Sequence, residues 1–241
     1  MDRNLRVSVV WHGLPAYAAR LIRSVIGIAG IDLQVFATKS PEDPAYLEAV
    51  LGQKITWLDD GTVHHHAVSS SPDICFVTGW AFDTCNRFAA AARAKGARVV
   101  LMIDNRWRGD IRQWLGSIYF RLFLLNTVDY AWVPGDSAAR LCRHLGVPDP
   151  AVVQGLYGGD ASFFTLPQPG PRPPRIGFVG QLIPRKGFDI LLSAFQKLRE
   201  TTPEYELHVY GSGELAPLAA GVAGVKLNPF SRPEDIADAM R

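Results

Sequence analysis

The sequence predicts an α/β protein built from two Rossmann-like units with parallel sheets, and three observations carry that reading. Short apolar runs alternate with amphipathic stretches along nearly the whole chain, the order that makes parallel strands and crossover helices. Several of these runs end in glycine-rich or polar turns, as strand-to-helix connections do in open α/β sheets. Finally, Pro167, Pro169, Gly170, Pro171, Pro173 and Pro174 crowd into one short segment. Such a stretch cannot continue a helix or a central strand, so residues 167–174 read as a linker between domains at 1–166 and 175–241.

Residues 5–11 form the first apolar run and 17–27 the helix after it. The turn between them, His12-Gly13-Leu14-Pro15-Ala16, is where a Rossmann-like unit brings backbone close to a ligand, which makes Gly13 a candidate position. A second strand covers 31–37, and Ser40 then reads as a helix N-cap, with Pro41, Glu42 and Asp43 opening a helix to Gly52. A short strand at 54–58 leads through Asp59-Asp60-Gly61 to His64-His65-His66. Three adjacent histidines cannot all face one ion from a regular element, so this segment reads as a solvated loop and no metal is assigned.

Residues 74–78 form a buried strand, and 83–95 an alanine-rich helix stopped by Gly96. The strand at 99–103 ends in Asp104-Asn105-Arg106-Trp107-Arg108, and polar groups at a strand's carboxyl end occupy the ligand crevice of an α/β sheet. Asp104 reads either as an acid–base candidate or as the cap of the next helix. That helix, 110–125, is unusually apolar. Ile111, Trp114, Leu115, Ile118, Leu122 and Leu125 are expected to form a core stripe, widened by Tyr119, Phe120, Phe123 and Leu124. Arg106, Arg108, Arg112 and Arg121 are interspersed, and the run is too short to span a bilayer. A helix of this kind either lies deeply buried or touches a membrane surface or a lipid-linked acceptor. A strand at 130–133 and a helix capped at Asp136-Ser137 and closed by Leu145-Gly146 follow.

The second unit is organised around residues 175–198. Ile176-Gly177-Phe178-Val179 is a short apolar run, Gly180 and Gln181 open a turn, and Arg185-Lys186 stand immediately before Gly187. Phe188, Leu191, Leu192, Phe195 and Leu198 then recur at helical spacing. The free N–H groups of a helix start and the two cations before it would act on the same phosphate, so the junction reads as an anion site. A strand at 206–210 runs into Gly211-Ser212-Gly213-Glu214, a second turn with room for close backbone approach. A third strand at 225–227 and a helix at 233–240 complete the pattern.

The stretch from Phe178 to Gly187, with the turn at Gly211 and Gly213, resembles the donor-binding signature of family-4 glycosyltransferases, retaining enzymes of the two-domain GT-B fold. In that signature a strand ending Phe-Val-Gly-Arg leads through a short loop to Lys-Gly and a helix. Here Lys186-Gly187 matches, and the uncharged Gln181 stands at the Arg position. The run from Ser137 through Leu145-Gly146-Val147-Pro148 to Tyr157-Gly158-Gly159-Asp160, with Phe163 and Phe164 after it, follows the order of the same family.

The resemblance implies a GT-B-like fold with an incomplete second domain. It also implies transfer of a sugar from a nucleotide diphosphate sugar to an acceptor hydroxyl, with retention. Lys186, helped by Arg185, would stabilise the departing diphosphate without a metal or other cofactor. Gly13, Gly180, Gln181, Gly211, Ser212, Gly213 and Glu214 would contact the donor. Many of the resembled enzymes have a catalytic or donor-contacting His in the segment where this chain has Asp104 and Asn105. The catalytic group of the first domain therefore stays open with Asp104 as a candidate, and Asn105 and Arg106 would face a glycan or lipid-linked acceptor. The resembled enzymes continue with further βα units and paired glutamates, so the chain is expected to be a fragment. Two alternatives stand beside this reading: a truncated module that binds a nucleotide or phosphosugar without turnover, and a sugar-nucleotide epimerase of the same fold.

Bulk properties narrow the partners. A net charge of +2 gives no reason to expect nucleic-acid binding. Cys75, Cys85 and Cys142 lack a Cys-x-x-Cys spacing and read as free thiols in a reducing compartment. The first apolar run is broken at Trp11-His12-Gly13-Leu14-Pro15, too soon for a signal peptide or a membrane span. The expectation is a cytoplasmic protein; peripheral contact with the inner membrane face through residues 106–125 goes with the exposed alternative for that helix, not with the buried one.

Overall fold

The computed structural model describes residues 3–40, 42–156, 158, 173–228 and 233–240. The chain divides into two compact units, Met1–Gly159 and Asp160–Arg241. Positions 167–172 of the proline-rich segment lie outside the described residues, as do Tyr157, Gly159, Asp160, Phe163 and Phe164.

In the first unit the apolar runs pair as strands of one parallel sheet. They are β1 (Leu5–Trp11), β2 (Ile31–Ala37), β3 (Thr56–Trp57), β4 (Ile74–Thr78), β5 (Arg98–Met102), β6 (Tyr130–Val133) and β7 (Val152–Gln154). Their order is β3-β2-β1-β4-β5-β6-β7, so the winding reverses between β1 and β4, as in doubly wound folds. Alternation along β1 splits the core into two layers. Val9 packs with Val35, Leu47 and Leu51 beneath α1 (Ala16–Arg23) and α2 (Pro44–Leu51). Val10 packs on the opposite face with Val77, Phe88, Val99 and Leu141. The helices on that face are α3 (Val63–Ser70), α4 (Asp83–Ala94), α5 (Ile111–Phe123) and α6 (Asp136–Leu145). Phe76, Val100, Tyr130, Trp132 and Val153 line an open apolar depression of about 420 Å³ on the sheet.

Local chemistry moves several expected boundaries. Asp43, rather than Ser40, caps α2: its carboxylate accepts from Tyr46 N at 3.0 Å, Pro44 takes the first helical position, and Gly52 closes the helix at φ 84°. Ser40 donates its hydroxyl to Leu14 O instead. The first helix stops at Arg23 because the chain then tightens into shorter turns, with Ser24 Oγ donating to Leu21 O and Ile26 N to Arg23 O.

The histidine run is helical, not a loop. Asp59 accepts from Gly61 N, Thr62 N and Thr62 Oγ1, which fixes the turn that launches α3. Val63, Ala67 and Ser70 then bury one face, while His64 and His65 are exposed. Among the described residues no group of three or more His, Cys, Asp or Glu could hold a metal ion.

The largest correction concerns α5. Of the expected core stripe, Ile111, Trp114, Leu115, Ile118 and Leu122 are exposed, as are Tyr119 and Phe123, while Leu125 and Leu124 at its end are half-buried against the core. Ser117 and Phe120 face inward instead. The cause is close contact at Gly116, where an added Cβ would lie 2.6 Å from Cη2 of Trp80, and Phe120 meets the same indole edge-on. The small-residue line of the helix fits against Trp80; the bulky line does not. The deeply buried alternative for this helix is therefore wrong.

In the second unit β8 (Arg175–Val179), β9 (Glu206–Tyr210) and β10 (Val225–Asn228) form a parallel sheet in the order β10-β9-β8. They are accompanied by α7 (Phe188–Thr201), α8 (Ala216–Ala219) and α9 (Pro233–Met240). Leu182, Phe188, Leu192, Phe195, Leu207 and Val209 make its core. Among the described residues no helix is long and apolar enough to cross a membrane.

Candidate functional site

In the second unit the loops after β8 and β9 run side by side at the carboxyl edge of the sheet. Gly180 N donates to Tyr210 O at 3.0 Å, Leu182 N to Ser212 O at 2.9 Å, and Leu215 N to Leu182 O at 2.9 Å. This contact requires glycine on the β9 side. A Cβ at Gly211 would sit 2.0 Å from Gly180 O, and one at Gly213 would sit 2.5 Å from Leu182 O. These two glycines hold loop against loop. Gly180 is more open, because a methyl there would meet only the Phe178 ring, at 3.9 Å.

Gly187, at φ 70°, turns the chain into α7, which starts without a side-chain cap. Among the described residues no side chain accepts from its first-turn N–H groups, which leaves them for an outside acceptor. Arg185 and Lys186 are exposed in the tight turn Pro184–Lys186 immediately before it. Neither forms an ion pair among the described residues. Gln181, Ser212 and Glu214 are exposed in the neighbouring loops. An uncapped helix start beside two unpaired cations favours an anion, and a phosphate suits both.

In the first unit the turn after β1 is built on His12. Its backbone N–H donates to Thr78 Oγ1 at 3.0 Å, and its Nδ1 shares a 2.8 Å hydrogen bond with Thr38 Oγ1. The ring stacks on Phe82 with centroids 3.7 Å apart. The ends of β1, β2 and β4 therefore meet at His12, where the winding reverses and α/β sheets bind ligands. Partial burial lowers the imidazole pKa, which favours the neutral ring. Sequence reasoning singled out Gly13 and passed over its neighbour. The available signal was a histidine directly after the first strand of a doubly wound sheet.

Gly13 makes the tight turn at φ +62°. The start of α1 beside it is already occupied, because the Glu42 carboxylate accepts from Ala16 N at 3.1 and 3.2 Å. The chain's own acid thus fills the position that the second unit leaves open.

Asp104, Asn105 and Arg106 are exposed in the loop after β5. Asp104 does not cap α5; Asp110 does, accepting from Gln113 N at 2.8 Å. Asp104 lies within electrostatic reach of Tyr17, whose phenol is pushed up by desolvation and then by that carboxylate. The structure therefore gathers Gly180, Gln181, Arg185, Lys186, Gly211, Ser212, Gly213 and Glu214 in one unit. Gly13, Asp104, Asn105 and Arg106 belong to the other.

Two Rossmann-like parallel-sheet units in one chain make a fold of the GT-B type. Residues 173–241 match the family model described as Glycosyl transferases group 1. Among solved structures, Anabaena HepE in complex with UDP and glucose superposes with a TM-score of 0.72 at 11% identity, covering 98% of this chain and 72% of that one. The lipopolysaccharide outer core galactosyltransferase WaaB gives 0.64 at 14% identity, covering 97% and 71%. The UDP-GlcNAc 2-epimerase from Neisseria meningitidis bound to UDP-GlcNAc gives 0.61 at 12%, covering 98% and 75%. At these identities the likeness is one of fold. No curated protein sequence matches the chain.

Proposed function

We propose that the chain is a glycosyltransferase that uses a nucleotide diphosphate sugar, with the donor diphosphate resting on the loop and helix start at residues 180–187. One observation carries this reading. The segment matching the group 1 glycosyltransferase model is the one in which an uncapped helix start stands beside the unpaired Arg185 and Lys186. As the glycosidic bond breaks, negative charge grows on the diphosphate, and Lys186, Arg185 and the first N–H groups of α7 stabilise it. Gln181 adds hydrogen bonds without charge. A uridine diphosphate sugar is the proposed donor, in keeping with the ligands of HepE and of the Neisseria epimerase. The first unit would hold the acceptor, a glycan or a lipid-linked hydroxyl compound. Asn105 and Arg106 would contact it, and Asp104 or His12 would take up the hydroxyl proton. Retention of configuration is part of the same proposal.

Thermal unfolding with UDP, GDP, ADP and their sugar conjugates tests it, because a ligand that binds only the folded state raises Tm with its affinity. Lys186→Ala is expected to weaken nucleotide binding roughly 10- to 100-fold, the loss of one charge-assisted hydrogen bond. Unchanged donor binding and turnover in Lys186→Ala would overturn the phosphate-site assignment. Epimerases share the fold, so product analysis without acceptor separates the two chemistries: a converted free sugar nucleotide identifies an epimerase.

A further inference from the structure

We propose that α5 docks the first unit on the surface of an anionic lipid bilayer. At helical spacing Ile111, Leu115, Ile118 and Leu122 fall on one line (i, i+4, i+7, i+11), the line that ordinarily packs on a core. In this protein it faces solvent, with those side chains 79%, 63%, 53% and 68% exposed. Trp114 and Phe123 widen the stripe on its two sides, at 52% and 67% exposed. A contiguous apolar surface of this kind on a folded unit marks an interaction site.

The charge around the stripe selects the occupant. Arg106 and Arg108 precede the helix and Arg112 lies in its first turn; all three are exposed and without an ion-pair partner among the described residues. No Asp or Glu occurs between Ile111 and Val128. Asp110 caps the helix and offsets one of these cations, but Arg106, Arg108 and Arg112 outnumber it at the unfavourable end of the macrodipole, so the excess positive charge favours an anion from outside. An apolar stripe whose rim carries Arg106, Arg108 and Arg112 against the one carboxylate of Asp110 is net cationic. That is the chemistry of a helix lying in the bilayer interface, its apolar side chains among the acyl chains and its guanidinium groups on headgroup phosphates. A second copy of the chain would bring like guanidinium groups together.

Geometry agrees. The helix has 13 residues, about 20 Å, too short to cross a bilayer core and suited to lying along it. Trp107 stacks on His144 at 3.8 Å and meets Trp114 edge-on at 5.3 Å, which places two indoles at the basic end of the helix. Indoles favour the headgroup level. The inference is independent of the donor site in the second unit.

Flotation of the chain with vesicles of phosphatidylcholine, with and without phosphatidylglycerol, tests the proposal. Binding is expected only to the anionic vesicles and is expected to fall at high salt. Leu115→Asp combined with Leu122→Asp should lower partitioning at least about tenfold, and Arg112→Gln about fivefold, the equivalent of about 1 kcal/mol per basic residue. Because these side chains are exposed, circular dichroism and Tm should match the parent chain. Absence of binding to anionic vesicles, or binding that the variants leave unmoved, overturns the proposal. So does a concentration-dependent dimer that the same variants abolish, which would assign the face to a second copy.

Discussion

Gly211→Ala tests whether the two loops of the candidate donor site are held together by missing side chains. Gly180→Ala supplies an internal control, because both glycines have φ 151°. An alanine at either position carries the same backbone strain, about 1–3 kcal/mol. At Gly180 the new methyl meets only the Phe178 ring at 3.9 Å, an ordinary contact. At Gly211 it meets Gly180 O at 2.0 Å, and the neighbouring backbone must withdraw. Withdrawal breaks Gly180 N to Tyr210 O, 3.0 Å, and Gly211 N to Asn228 O, 3.2 Å. Each such bond contributes about 1 kcal/mol, so Gly211→Ala should destabilise the second unit by about 2 kcal/mol more than Gly180→Ala. Tryptophan fluorescence cannot read this, since all six tryptophans lie in the first unit. Amide exchange along β8 and β9 can, and protection there should fall further in Gly211→Ala. Equal losses in the two variants would refute the collision argument.

Two further predictions concern the first unit. The nearly buried Asp129 joins α4 to β5 by accepting from Arg93, from Arg98 at 3.0 Å and from Val99 N at 2.9 Å. Burial alone would raise its pKa, but the Arg93 and Val99 hydrogen bonds outweigh burial and hold it below the ordinary value. A carboxylate with a depressed folded-state pKa stabilises above its unfolded value and loses that contribution as pH falls. Asp129→Asn should therefore cost roughly 2 kcal/mol at neutral pH, a gap that narrows below about pH 4. Urea melts across that range check it, and a gap independent of pH would count against the assignment. Cys75, Cys85 and Cys142 are buried free thiols, and desolvation pushes Cys85 up to about 12 and Cys142 up to about 11. None should react with a thiol reagent in the native chain and all should react after unfolding; rapid native labelling would contradict their placement.

Much of the fold is legible in the residues because its signals are local. Leu5–Trp11, Ile31–Ala37 and Ile74–Thr78 are apolar runs ended by polar or glycine turns, and each forms a strand with those bounds. The junction at Arg185, Lys186 and Gly187 is equally local, since the cations, the left-handed glycine and the helix it opens are neighbours in sequence. His12 is harder to see because its importance comes from Thr38, Thr78 and Phe82, which other strand ends bring to it. The positions of Gly211 and Gly213 announce a turn, but the loop that fills their missing side chains belongs to another strand.

The alternation of strands and helices and the basic start of α7 follow from the order of the residues. The direction in which α5 faces follows from packing alone. Periodicity defines an apolar stripe on an isolated helix but carries no direction. Direction depends on which line of side chains lets the helix approach its neighbour most closely. Here Trp80, on a different segment, admits Gly116, Ser117 and Phe120 and leaves Ile111, Leu115, Ile118 and Leu122 in solvent.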